Sequence, residues 1–199
     1  NTINYSCSVY IWYWDQAGDW TVNASIMDNG DLYNENHSTF FLLPQTTAIT
    51  IGPSTLTWPI LNLGGTNITS NNDPLVINNT GNKNIAKGGI TVTAYDLQGL
   101  TTTTDFIRAK NFTAFTQNGT SSCTGAGCLE CNGTIMTNAT AQTLPIANIT
   151  AGNNSINDWS GTSGQETLFL CLRQVALEIS RQTYDTSGAS SAAWIVGVS

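Results

Sequence analysis

Residues 17–42, AGDWTVNASIMDNGDLYNENHSTFFL, place Trp20, Val22, Ala24 and Ile26 at every second position and then meet Asp28-Asn29-Gly30-Asp31. Period-two alternation stopped by a D-N-G-D turn is the pattern of a strand entering a hairpin, and Thr39 to Leu43 reads as a further strand stopped by Pro44. Just upstream, YSCSVYIWYW (Tyr5 to Trp14) sets Cys7, Val9, Ile11 and Tyr13 on one face and Ser8, Tyr10, Trp12 and Trp14 on the other. Both stretches predict strands, because a helix would need apolar residues about every 3.6 positions.

The same reading extends along the chain. Strands are predicted at Ala48 to Ile51, Leu56 to Leu61, Pro74 to Ile77, Gly89 to Tyr95 and Phe106 to Phe112. Further ones are predicted at Thr143 to Ile149, Thr167 to Leu172, Val175 to Ile179 and Ala192 to Val198. Short strands separated by Gly, Asn and Pro turns point to an all-β sandwich. Composition agrees: 30 Thr and 22 Asn alternate with aromatic and β-branched residues, and charged residues are only 10 % of the 199.

Charge excludes one class of partner. Six acids precede Lys83, and no Lys or Arg does, so no basic patch is available there for phosphate. No apolar run reaches the ~18 residues of a membrane span. The chain does not begin with Met, and Asn1 is read as the start of a processed chain or fragment. Sequons occur at Asn4, Asn23, Asn36, Asn67, Asn78, Asn111, Asn118, Asn132, Asn138, Asn148 and Asn153. They are about twice as frequent as this Ser and Thr content produces by chance, which points to an exported chain carrying N-glycans.

Compartment decides the cysteines. Cys123, Cys128 and Cys131, with Cys171 beyond, match the plant-type iron–sulfur spacing. Cluster loading needs reduced thiolates, whereas Asn132 beside Cys131 opens a sequon. A structural zinc site meets the same objection. The favoured reading is a disulfide-stapled loop over 123–131, in which Cys123 bridges Cys128 or Cys131 and a remaining loop thiol reaches Cys171. Cys7 is a further candidate, and the spacing does not fix the pairing.

Catalytic constellations are sparse. His37 is the only histidine and lies inside a sequon, so a triad or a His-based zinc site has no second member. Most acids sit at turns, where Asp caps its own backbone, leaving little for paired-carboxylate glycoside hydrolysis. Asp28 and Asp31 could offer oxygens to calcium but lack the full loop pattern. No catalytic residue and no cofactor are assigned.

Residues 17–42 resemble the closing strands of immunoglobulin-like or PKD-like modules. The stretches DPLVINNTGNKNI (73–85), GGITVTAYDLQG (88–99), FIRAKNFTAF (106–115) and AAWIVGVS (192–199) are similar to secreted β-sandwich proteins of archaeal cell surfaces. The resemblance implies an extracellular structural role and an N-T-G-N turn joining two strands. It divides the chain at Pro44: a partial Ig/PKD-like module over 1–44 and an Ig-like β-sandwich domain over 45–199.

Three strands cannot cover both faces of the aromatic segment, so Val9, Tyr10, Ile11, Trp12, Trp14 and Trp20 are expected to contact another chain. The expected function is a glycosylated subunit that polymerises with copies of itself into a filament or surface array by strand complementation. The alternative is an adhesin that stacks sugars on exposed Trp and Tyr.

Overall fold

The computed structural model describes residues 4–117, 129–151 and 164–199. It is all-β and sandwich-like, with fourteen strands and two 3-10 turns among the described residues. Strands β1 (Gly18–Met27) and β2 (Tyr33–Leu43) form an antiparallel sheet of their own. The body begins with β3 (Ile49–Gly52), β4 (Thr66–Thr69), β5 (Leu75–Asn79), β6 (Ile90–Ala94), β7 (Leu97–Gly99) and β8 (Phe106–Ile107). It continues with β9 (Phe112–Gln117), β10 (Thr134–Ile135), β11 (Thr140–Thr143), β12 (Gln165–Gln174), β13 (Tyr184–Asp185) and β14 (Ile195–Val198).

One sheet runs β10-β9-β12-β5-β3, with β4 also on β12; a second runs β11-β6-β14, and a third runs β13-β7-β8. Alternation explains the core. Leu75 and Ile77 of β5, Ile90, Val92 and Ala94 of β6, and Leu168, Leu170 and Leu172 of β12 are buried and join one cluster with Phe112 and Met136. Each of these side chains except Ala94 contributes about 1.5–3 kcal/mol relative to exposure. No described residue before Ile49 belongs to that cluster.

The two main sheets close unequally. β10 lies against β11, and the Thr134 hydroxyl reaches the Thr143 carbonyl at 3.5 Å. On the far side the first sheet ends at β3 and the second at β14.

Several strand expectations are corrected. Tyr5 to Trp14 forms no strand: no strand among the described residues pairs with it, and Trp12 closes a turn with Asp15 instead. Leu56 to Leu61 is irregular: Asn71 and Asn72 take the backbone groups of Thr57, and Pro59 has no N–H to give a ladder. Phe106 to Phe112 breaks at a 3-10 turn, Ala109–Asn111, because the Asp96 carboxylate captures the Ala109 N–H at 2.7 Å. Val175 to Ile179 is not a strand; Val175 exchanges backbone bonds with Gly64 and Gly65. Thr143 to Ile149 contributes its first residue to β11 and an isolated bridge from Ile149 to Ile85.

The N-T-G-N turn also differs from expectation. β5 and β6 stand in different sheets, so the turn does not close a hairpin between them. Instead it fastens the segment that leads from β2 into the body. The Asn82 carboxamide accepts the Thr46 N–H at 2.7 Å and donates to the Pro44 carbonyl at 3.1 Å. Thr80 donates to the Ala48 carbonyl at 2.9 Å. Asn79 is fully buried and bonds the Lys83 carbonyl at 2.8 Å. A Cβ at residue 81 would overlap the Thr46 carbonyl, so glycine is required for this approach.

Candidate assembly surface

Most of the large apolar side chains that stand exposed among the described residues lie within residues 4–43. Tyr5, Val9 and Tyr10 are 78 %, 78 % and 85 % exposed, and Ile11, Trp12 and Tyr13 are also open to solvent. The β1–β2 arm continues the pattern with Val22, Ile26, Met27, Leu32, Tyr33, Phe40 and Leu42.

Local chemistry shapes this region. Asp15 accepts the Trp12 N–H at 2.7 Å through its carboxylate and returns its own N–H to the Trp12 carbonyl at 3.0 Å. That tight turn stacks Trp12 on Trp14, with centroids 4.8 Å apart and planes 9° apart, and sets Tyr13 edge-on to Trp14. The two indoles therefore cover one face of each other. Trp20 pairs directly with Phe41 across the arm, their rings 6.2 Å apart, and its indole N–H bonds the Gln16 carbonyl.

The arm is longer than its hydrophobic pattern suggests. β2 starts at Tyr33, and the polar run Asn34 to Ser38 is strand because β1 supplies its ladder. A register shift between Val22 and Ala24 marks a bulge, which adds twist to the ribbon. Ten residues of β1 carry the Asp28–Leu32 turn about 33 Å from Gly18 at the arm's base.

The other candidates are placed as follows. Asp28 uses one carboxylate oxygen to accept the Gly30 and Leu32 N–H groups at 2.7 and 3.0 Å, so it caps its own turn. Asp31 follows with φ 60. His37 lies 3.3 Å from Glu35 on the exposed arm, and Tyr33 donates to the same carboxylate at 2.6 Å. Among the described residues no group of three or more His, Cys, Asp or Glu side chains could hold a metal ion. A surface depression lined by Phe115, Thr116, Asn132, Leu144 and Pro145 contains no titratable side chain.

Cys131 and Cys171 form a disulfide, and Cys7 is free and exposed. Cys123 and Cys128 lie outside the described residues, as do Asn118 and Asn153. Asn4, Asn23, Asn36, Asn67, Asn132 and Asn138 are exposed, and Asn78, Asn111 and Asn148 are half-buried. Asn78 stands inside β5 and not on the turn, with its carbonyl oxygen enclosed.

Two further groups escaped the sequence reading. Asn82 was legible only as the last residue of the N-T-G-N turn, and nothing in the sequence marked it as the clamp on Pro44 and Thr46. The Arg108 guanidinium meets the buried Asp96 carboxylate at 2.7 Å, which ties β8 to the end of β6. No helix among the described residues is long and apolar enough to cross a membrane. No family model matches the chain, and neither a curated protein nor a solved structure matches it.

Proposed function

We propose that this chain is a glycosylated extracellular structural subunit that polymerises into a filament or surface array by strand complementation between copies. The observation that carries the reading is Tyr5 to Trp14: a segment of alternating pattern that pairs with no strand among the described residues and leaves most of its apolar side chains in water. Monomeric proteins seldom expose so much contiguous apolar surface without a partner for it. A backbone ladder to another copy would satisfy the segment's N–H and C=O groups and bury the side chains together. The disulfide and the nine described sequons, none of them buried, support an oxidising exterior and attached glycans.

Deleting residues 1–14 tests the reading, because none of residues 4–14 contributes to the core. The truncated chain should fold and remain monomeric by sedimentation, while the full chain forms polymers visible by electron microscopy. Polymers formed equally well without residues 1–14 would refute the mechanism. A full-length monomer that is retained on a polysaccharide column would favour the adhesin, whose strongest support is the exposed Trp12 and Tyr13 rings.

A further inference from the structure

The strand-complementation reading leaves the acceptor unnamed, and the second sheet supplies a candidate. Among the described residues β14 pairs with β6 alone. Ser199 donates its N–H to the Gly89 carbonyl at 2.9 Å, which sets the phase of the ladder. Bonded and non-bonded pairs alternate between antiparallel strands. Ser199, Gly197 and Ile195 therefore face β6, while the N–H and C=O groups of Val196 and Val198 point away from it.

Edges of this kind are usually guarded by charge, proline or a covering element. Here the strand itself carries no such residue, and no second strand among the described residues pairs with it. No charged residue and no proline occurs from Thr186 to Ser199. β11, at the other side of the same sheet, is covered by β10, and β3 is bounded by Pro44 and Pro53. Val196 and Val198 pack against the core, and Ile195 is 54 % exposed.

We infer that the outer edge of β14 accepts Tyr5 to Trp14 of a second copy as the fourth strand of the β11-β6-β14 sheet. This rests on the proposed function and deepens it. The two segments match in three respects. Neither carries a charge, so their union desolvates no ionised group. Over Tyr5 to Ile11 and at the outer edge of β14 each lacks a backbone partner among the described residues where the other offers one, whereas Trp12 already bonds Asp15. The donor has ten residues against four in β14, which leaves room for Ile11, Trp12 and Trp14 to extend past the edge onto the neighbouring body.

Amide hydrogen exchange on the full, unaltered chain tests this, read at Val196, Val198 and residues 5–14 in dilute monomer and in polymer. On assembly the Val196 and Val198 amides should slow about 100-fold, together with those of residues 5–14. Val198→Pro removes an outward donor without breaking the β6 ladder, and should raise the critical concentration at least about 10-fold. Its monomer should keep the wild-type near-ultraviolet circular dichroism. If residues 5–14 become protected while Val196 and Val198 exchange at monomer rates, this acceptor is wrong and strand complementation stands. Protection of both segments that is independent of concentration would place the donor on its own chain and overturn the second copy. A chain that never polymerises would remove the underlying reading and this inference with it.

Discussion

Glu166→Gln should flatten part of the pH dependence of stability. Glu166 lies on the inward face of β12 beside Leu168, is 4 % exposed, and has its carboxyl pushed up by burial from 4.5 to about 7. The Asn148 and Thr167 N–H groups reach it at 3.4 and 3.2 Å, and both favour the charged form, yet desolvation outweighs them. Below pH 4.5 the carboxyl is protonated in the folded and the unfolded chain alike. Between pH 4.5 and 7 the unfolded chain releases the proton and the folded chain keeps it, so stability falls as pH rises. Each pH unit of that gap is worth 1.36 kcal/mol, which puts the loss at about 3 kcal/mol by pH 8. Asp105 is lowered by hydrogen bonds from Ser180 and Tyr184 is raised by burial, so both titrate outside this window. The assay is urea unfolding of the wild type and Glu166→Gln at several values from pH 4.5 to 8.5. The glutamine variant should gain relative to wild type as pH rises, by up to about 3 kcal/mol. Parallel curves for the two proteins would show that burial of Glu166 does not govern its titration.

Two further outcomes follow from the described contacts. The Cys131–Cys171 bridge closes a separation of 40 residues, and the chain-entropy model gives it about 4 kcal/mol, so Cys131→Ser with Cys171→Ser should lower the unfolding free energy by that order; an unchanged denaturation midpoint would contradict it. Asn82→Ala removes two hydrogen bonds to Pro44 and Thr46, each worth about 1 kcal/mol, and should speed limited proteolysis between Leu43 and Ala48 while leaving the body protected; cleavage at the wild-type rate would show that the clamp does not hold the arm.

Much of the body could be read from residues, for a definite reason. β5, β6 and β12 bury one face, and burial writes period two into the sequence as Leu75/Ile77, Ile90/Val92 and Leu168/Leu170/Leu172. Where burial does not select side chains, the signal disappears. Asn34 to Ser38 is strand through its ladder to β1, with both faces in water, so no alternation marks it. Tyr5 to Trp14 shows the converse: alternation reports a capacity for pairing, and whether a partner strand lies alongside is a property of the fold. Cys131 and Cys171 follow the same logic. Their meeting is produced by β9, which pairs Thr113 with Cys171 and Ala114 with Thr134, and no spacing within the chain encodes that.

On the proposed reading, the separation of donor and acceptor determines the form of the assembly. A two-stranded ribbon is marginal in water without a covering face, so the arm and the segment before it gain most from a neighbour. The clamp at Pro44 to Ala48 fixes the arm's base to the turn after β5, while the β14 edge belongs to the other sheet. Donor and acceptor are then different surfaces of the same chain, and the contact is head-to-tail. Such a contact satisfies the donor of one copy and leaves that copy's own acceptor open for the next. Reciprocal seating of two donors on each other's acceptors would close a two-fold dimer, and sedimentation distinguishes that end point from a polymer. Repetition without a closing rotation gives a polar fibre. Burial of several aromatic side chains per contact, each worth up to about 3 kcal/mol, offsets an association cost of about 4–15 kcal/mol. Polymerisation should therefore depend steeply on Trp12 and Trp14: replacing both with Ala should raise the critical concentration by at least about 100-fold, measured by sedimentation, and an unchanged value would place the driving contacts elsewhere.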